Sequence, residues 1–215
     1  GVHIQAVTEE IAEALGLEEA TGALVANVIP GSPAEKAKIR AGDIILEFNN
    51  KKVGKMRSLP RIVADTEVGK SVPIKIWRNK KSLSLSSTIE ELVEDKQKVA
   101  SGDGKVLKKN KAQTIKELGL RLSSLNVALK EKFSLESDAK GLVVIEVIKG
   151  GPASEKRIRP GDLVVEVGQQ EAISSEVVQS LVTEAKKAGR KYVLLLLEGQ
   201  GQGQLRHVAI RIDKQ

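Results

Sequence analysis

The stretch Val28-Ile29-Pro30-Gly31-Ser32-Pro33-Ala34, continued by Ile39-Arg40-Ala41-Gly42-Asp43-Ile44-Ile45-Leu46-Glu47, occurs twice in the chain. Its second copy is Val147-Ile148-Lys149-Gly150-Gly151-Pro152-Ala153 with Ile158-Arg159-Pro160-Gly161-Asp162-Leu163-Val164-Val165-Glu166. Each matched position is displaced by 119 residues, and Gly22 maps onto Gly141 by the same shift. A period of this length is domain-sized, far longer than a solenoid repeat, so the chain reads as one small module present twice. The 215 residues then divide into units of roughly 100 residues, each able to bury about 60% of its unfolded surface and fold without covalent staples.

Composition narrows the chemistry. Aromatic residues make up only 2% of the chain, so the cores must be Val, Ile, Leu and Ala around Phe48, Trp77, Phe133 and Tyr192, which suits short strands. With no cysteine, disulfides, thiolate catalysis and cysteine-based zinc sites are excluded. The net charge of +7 is concentrated between Lys96 and Lys116. Binding of nucleic acid there would predict a steep salt dependence. Those lysines alternate with Gly, Asp, Ser and Asn and have no aromatic stacking partners, so a solvated linker is the expectation and no nucleic-acid partner. The longest apolar run, Tyr192 to Leu197, is strand-length, and no membrane span is expected. Gly1-Val2-His3 lacks the basic start and apolar region of a signal peptide, and an initial Gly without Met points to a processed or excised fragment.

The pattern predicts the same order of elements twice. In the first unit, strand Val2 to Val7 leads to a short helix capped by Thr8, then strand Gly22 to Ile29, a turn opened by Pro33, strand Ile44 to Phe48 and a helix ending at Ala64. Pro60 is tolerable only in that helix's first turn, which places its start near Arg57 or Ser58. Strands Val72 to Arg78 and Leu83 to Ile89 close the unit as a hairpin. In the second unit, strand Gly119 to Ser124, helix Asn126 to Lys132, strands Gly141 to Ile148 and Asp162 to Val167, helix Glu176 to Ala188 and strands Arg190 to Glu198 and Leu205 to Ile212 repeat it. The expected boundaries are 1–92 for the first domain, 93–112 for a Lys-rich linker and 113–215 for the second domain.

The run GALVANVIPGSPAEKAKIRAGDIILEFNN, with its echo GLVVIEVIKGGPASEKRIRPGDLVVEVGQQ, closely resembles PDZ domains of the bacterial kind. The tandem order, together with SLPRIVADTEVGKSVPIKIWRNKK, is similar to the C-terminal half of HtrA/DegP-family envelope serine proteases. The resemblance implies an α+β, mostly β fold: two PDZ domains, each a small, partly open β-barrel or sandwich flanked by two helices. It also implies a peptide-binding mode. An extended peptide adds as a strand to a sheet edge beside a helix, and its free carboxylate sits among backbone N–H groups of a glycine-bearing turn.

By that resemblance, Glu117-Leu118-Gly119-Leu120 matches the carboxylate-binding loop of the second unit. Leu118 and Leu120 would flank an apolar pocket, Leu120, Arg121 and Leu122 would pair with the peptide, and Val178, Leu181 and Val182 would wall the pocket. In the first unit Gly1-Val2 matches only the second half of the loop, and the preceding apolar residue lies outside this chain. Val2, His3 and Ile4 would pair with the peptide there, beside Met56, Leu59 and Val63. Gly42, Asp43, Gly161 and Asp162 read as turn chemistry rather than as a carboxylate dyad.

A hydrolytic Ser/His/Asp arrangement needs more than the chain offers: only His3 and His207, both expected on the surface, and no nucleophile loop. No catalytic residue, metal site or cofactor is expected here. The resemblance implies a regulatory fragment of a periplasmic serine endopeptidase acting in protein quality control and stress response, with chaperone activity a further implication. Its partners would be unfolded or misassembled envelope proteins and peptides with free C-termini, together with the parent's own protease domain. The parent would be a trimer-based homo-oligomer and the fragment a monomer. The alternative is a non-enzymatic PDZ scaffold or secretion-system interaction module.

Overall fold

A computed structural model describes residues 1–90, 112–200 and 204–213. The linker expected over 93–112 lies, except for Ala112, outside the described residues, as does 201–203 at the tip of the last hairpin. The chain forms two compact units, each with its own sheet.

The first unit runs β1 (Val2–Ala6), α1 (Glu9–Leu15), β2 (Ala23–Val28), α2 (Pro33–Lys36), β3 (Ile44–Phe48), β4 (Lys51–Lys52), α3 (Ser58–Ala64), β5 (Ser71–Arg78) and β6 (Lys81–Thr88). Its sheet has the order β1-β2-β3-β5-β6, with β4 paired to β3. The caps follow the sequence. The Thr8 hydroxyl accepts the Ile11 N–H at 3.3 Å, and Ser32 caps α2 with Pro33 in the first turn. Pro60 falls in the first turn of α3, where its missing N–H breaks no helical bond. Along β5, Val72, Ile74 and Ile76 alternate inward onto Ala23, Val25, Ile45, Phe48 and Leu59.

The second unit begins with a strand that the hydrophobic pattern does not announce, β7 (Gln113–Ile115). There follow β8 (Leu120–Ser124), α4 (Val127–Phe133), β9 (Leu142–Val147), a 3₁₀ turn (Ser154–Lys156), β10 (Leu163–Val167), β11 (Gln170–Glu171), α5 (Ser175–Lys187), β12 (Tyr192–Glu198) and β13 (Leu205–Arg211). The sheet order is β13-β12-β10-β9-β8-β7, with β11 paired to β10. The two units share one topology from β1 and β8 onward. Even the irregularity recurs, a bulge between His3 and Ile4 in one and between Arg121 and Leu122 in the other.

The repeated residues are scaffold. Gly22 and Gly141 have φ of +95° and +98°, and a Cβ there would come within 2.8 Å of the Ile45 carbonyl or 2.3 Å of the Val164 carbonyl. Only glycine lets the chain cross the neighbouring strand so closely. Asp43 and Asp162 accept the Arg40 and Arg159 N–H at 2.8 and 3.1 Å, which is the expected turn chemistry. Each aspartate also meets an arginine that has no counterpart in the repeat. Arg78, at the end of β5, binds Asp43 through two bonds of 2.6 Å and donates to the Lys38 carbonyl at 2.8 Å. Arg206, on β13, lies 3.5 Å from Asp162 and donates to the Lys156 and Arg157 carbonyls. The hydrogen bonds that Arg78 donates to Asp43 raise its pKa above the ordinary value.

Candidate functional site

The loop and strand expected to receive a peptide occupy equivalent places in the two units. The Gly119 carbonyl accepts the Ile148 N–H at 2.9 Å, and the Gly1 carbonyl accepts the Ile29 N–H at 2.8 Å. The acceptors thus differ by 118 residues while the donors keep the 119-residue shift. The strand pairs agree, with Val2 opposite Val28 and Leu120 opposite Val147. A single-residue length difference, taken up before Gly22 and Gly141, leaves the sheets superimposable in register.

In the first unit β1 ends the sheet, so among the described residues one of its edges carries no further strand. Val2 and Ile4 on β1, and Met56, Ile62 and Val63 at and before α3, are half-buried and pack on one core with the buried Leu59. His3 is exposed, as expected. The structure therefore brings the expected apolar residues of the first unit together beside β1. Gly1 is exposed, with the Ser32 hydroxyl donating to its carbonyl at 3.2 Å.

In the second unit the corresponding residues converge but are sealed. Leu118, Leu120, Leu122, Val178 and Val182 all have 0% exposure and share one cluster, with Leu181 half-buried at its margin. Arg121 is exposed and lies 3.6 Å from Glu146. The Gln179 amide donates to Glu117 at 3.2 Å, tying the loop to α5. The Glu117 carboxyl is held below its usual pKa, first by its own backbone N–H and, against desolvation, by Gln179, Lys186 and Lys116.

What seals this groove is β7. Gln113 faces Leu122, Thr114 faces Arg121 and Ile115 faces Leu120, so β7 lies antiparallel along the very edge expected to be open. Ile115 is fully buried against the same leucines and valines. Its carbonyl accepts the N–H groups of Leu118 at 3.1 Å and Gly119 at 3.0 Å. Ser175, at the position Met56 holds in the first unit, is fully buried, and its hydroxyl finds no hydrogen-bond partner among the described residues.

His207 departs from expectation. It is 4% exposed rather than on the surface, within the buried run 207–210 of β13, and burial pushes its pKa down to about 4. Among the described residues no cluster of His, Cys, Asp and Glu could hold a metal ion, and no helix is long and apolar enough to cross a membrane.

The PDZ domain family matches residues 1–89 and 117–205. The chain belongs to the PDZ family. The two sheets, not closed into barrels, are its two PDZ domains. Along its whole length the chain is 35% identical to a probable periplasmic serine endoprotease DegP-like of Brucella suis biovar 1, spanning 39% of that protein. The tandem thus resembles the PDZ region of DegP-like endoproteases and spans about two fifths of the length (39%) of the curated relatives it matches. Among solved structures, an HtrA-type protease AlgW with decapeptide is 33% identical over 42% of this chain and 28% of its own, with a TM-score of 0.39. The HtrA3 PDZ domain bound to a phage-derived ligand is 25% identical over 41% of this chain and 80% of its own, with a TM-score of 0.35.

Proposed function

We propose that the chain is the peptide-capturing region of an envelope serine endopeptidase of the HtrA/DegP kind, and that its first domain binds extended C-terminal segments of unfolded proteins by strand addition to β1. The observation that carries this reading is the set of half-buried apolar residues that line β1, the strand equivalent to β8. A peptide strand there gains main-chain hydrogen bonds, and alternate side chains reach the apolar floor formed by Val2, Ile4, Met56, Leu59 and Val63. His3 faces solvent on the same strand, where it would contact the ligand's outer surface. The free carboxylate would be held at the loop that Gly1 ends, as Leu118 and Gly119 offer N–H groups in the second domain.

In this reading residues 1–92 and 113–215 are the two binding domains and 93–112 connects them, within a trimer-based periplasmic protease that the tandem supplies with misfolded substrates. A short peptide must be ordered on binding, so affinity on the order of micromolar, about −8 kcal/mol, is expected. Titration of labelled C-terminal peptides, with amide shifts of Val2–Ala6 as readout, checks the assignment. Equal binding by acid and amidated forms would remove the carboxylate from the account, and no shift in β1 at millimolar peptide would remove the site.

A further inference from the structure

The strand β7 has the four attributes of a bound peptide. It runs antiparallel to β8 on the edge that strand addition uses. Its last side chain, Ile115, is fully buried in one cluster with Leu118, Leu120, Val178 and Val182. The carbonyl of that last residue takes the N–H groups of Leu118 and Gly119, the donors that a terminal carboxylate would take. Glu117, just beyond it, is anchored to α5 by Gln179, so the loop is held in its receiving shape.

One further fact separates this segment from the fold it lies on: the PDZ match in the second half begins at residue 117, leaving β7 outside it.

We propose that residues 113–115 are a ligand in cis for the second PDZ domain, and that the groove they fill accepts, once they leave it, an extended peptide ending in a branched apolar residue with a free carboxylate. The occupant reveals the preference: Ile115 is fully buried in one cluster with leucine and valine side chains. Three residues held by one buried side chain give a lock that a peptide in trans can open. The inference rests on strand addition as the binding mode, and not on competence of the first groove.

The test uses the whole chain and the synthetic pentapeptide Lys-Ala-Gln-Thr-Ile with a free carboxylate, which copies residues 111–115. Amide shifts of Leu120–Ser124 report the second groove and those of Val2–Ala6 the first. In Ile115→Ser the peptide should bind the second groove at least about tenfold more tightly than in the unsubstituted chain, because the closed fraction no longer competes. The amidated peptide should lose most of that gain. A folded Ile115→Ser variant whose Leu120–Ser124 amides never respond would overturn the proposal. So would loss of the second domain's fold that the peptide fails to restore. Hydrogen exchange on the unsubstituted chain supplies an independent reading. Opening of β7 from β8 at lower denaturant than the opening of β12 supports a detachable strand, and exchange only through global unfolding makes β7 a permanent part of the fold. Response at Leu120–Ser124 without response at Val2–Ala6 would sink the proposed function of the first domain and leave this inference standing; the opposite pattern would do the reverse.

Discussion

Around β1 the first groove leaves Val2, Ile4, Met56 and Val63 half exposed, whereas in the second Leu118, Leu120, Leu122, Val178 and Val182 are fully buried in one cluster with Ile115. The strands, bulge and anchoring carbonyls are the same in both. One scaffold thus carries two different sets of groove side chains. In the second domain the edge of β8 is filled by three residues in front of the domain, not by residues repeated inside it.

The shared scaffold is the largest thing to break. Asp43 is 1% exposed and holds Arg78 by two short bonds, whereas Asp162 meets Arg206 at 3.5 Å with the arginine more open to water. Asp43→Ala should cost the first domain about 3–4 kcal/mol, because it strands a largely buried guanidinium, and Asp162→Ala should cost the second domain only about 1–2 kcal/mol. Denaturant melts of each variant give the two numbers, and equal losses would erase this asymmetry. Acid separates the copies next. His207, buried in the second domain, has a folded pKa near 4 against about 6.5 unfolded, so it stabilises the fold in its neutral form. That stability is complete above pH 6.5 and drains away as the pH falls towards 4, by about 3 kcal/mol in all. His207→Gln should flatten the second domain's stability between these limits, and an unchanged pH profile would show that the loss comes from elsewhere.

Changes at the grooves are smaller. Gly119 has φ of +68°, and a Cβ would lie 3.2 Å from both Pro152 and Gly151. Gly119→Ala should destabilise the second domain by about 1–2 kcal/mol from the backbone conformation alone, with exchange of the Leu118 and Gly119 amides accelerated. Met56→Ser gives the first groove the residue found in the second. It should weaken peptide binding at β1 about tenfold by removing apolar floor, measured by titration, and no change would take Met56 out of the site. Ser175→Ala removes a buried hydroxyl that has no partner. The second domain should gain up to about 1 kcal/mol in melting experiments, and a clear loss would show that the hydroxyl is satisfied in solution.

Much of the fold was legible because its signals are local. Thr8 caps α1 and Pro33 opens α2 as the sequence predicts, while Asn126, expected as the first helical residue, instead stands in front of α4 as its cap, its side chain accepting the Leu129 N–H. Gly42-Asp43 and Gly161-Asp162 turn the chain as expected, and the alternation in Val72 to Ile76 reports which face is inside. The arginine partners were not legible. Arg78 and Arg206 come from different strands of the repeat and reach their aspartates only after the sheets have formed. His207 sits in a strand pattern of mixed polarity, and its burial follows from its place beside β12 rather than from its neighbours in sequence. Gln113-Thr114-Ile115 is too short to show a period.

By itself the sequence determined that there are two modules, where each turns and which helix follows which strand. These are demands of backbone conformation, capping and hydrophobic period, each met within a few residues. Only the tertiary structure decided that the edge of β8 is already paired. Pairing of Ile115 with Leu120, burial of its side chain under α5 and capture of its carbonyl by the loop are gained together. That joint gain depends on a groove assembled from segments some 60 residues apart, Glu117 to Leu122 and Val178 to Val182, so no short stretch of the chain contains it.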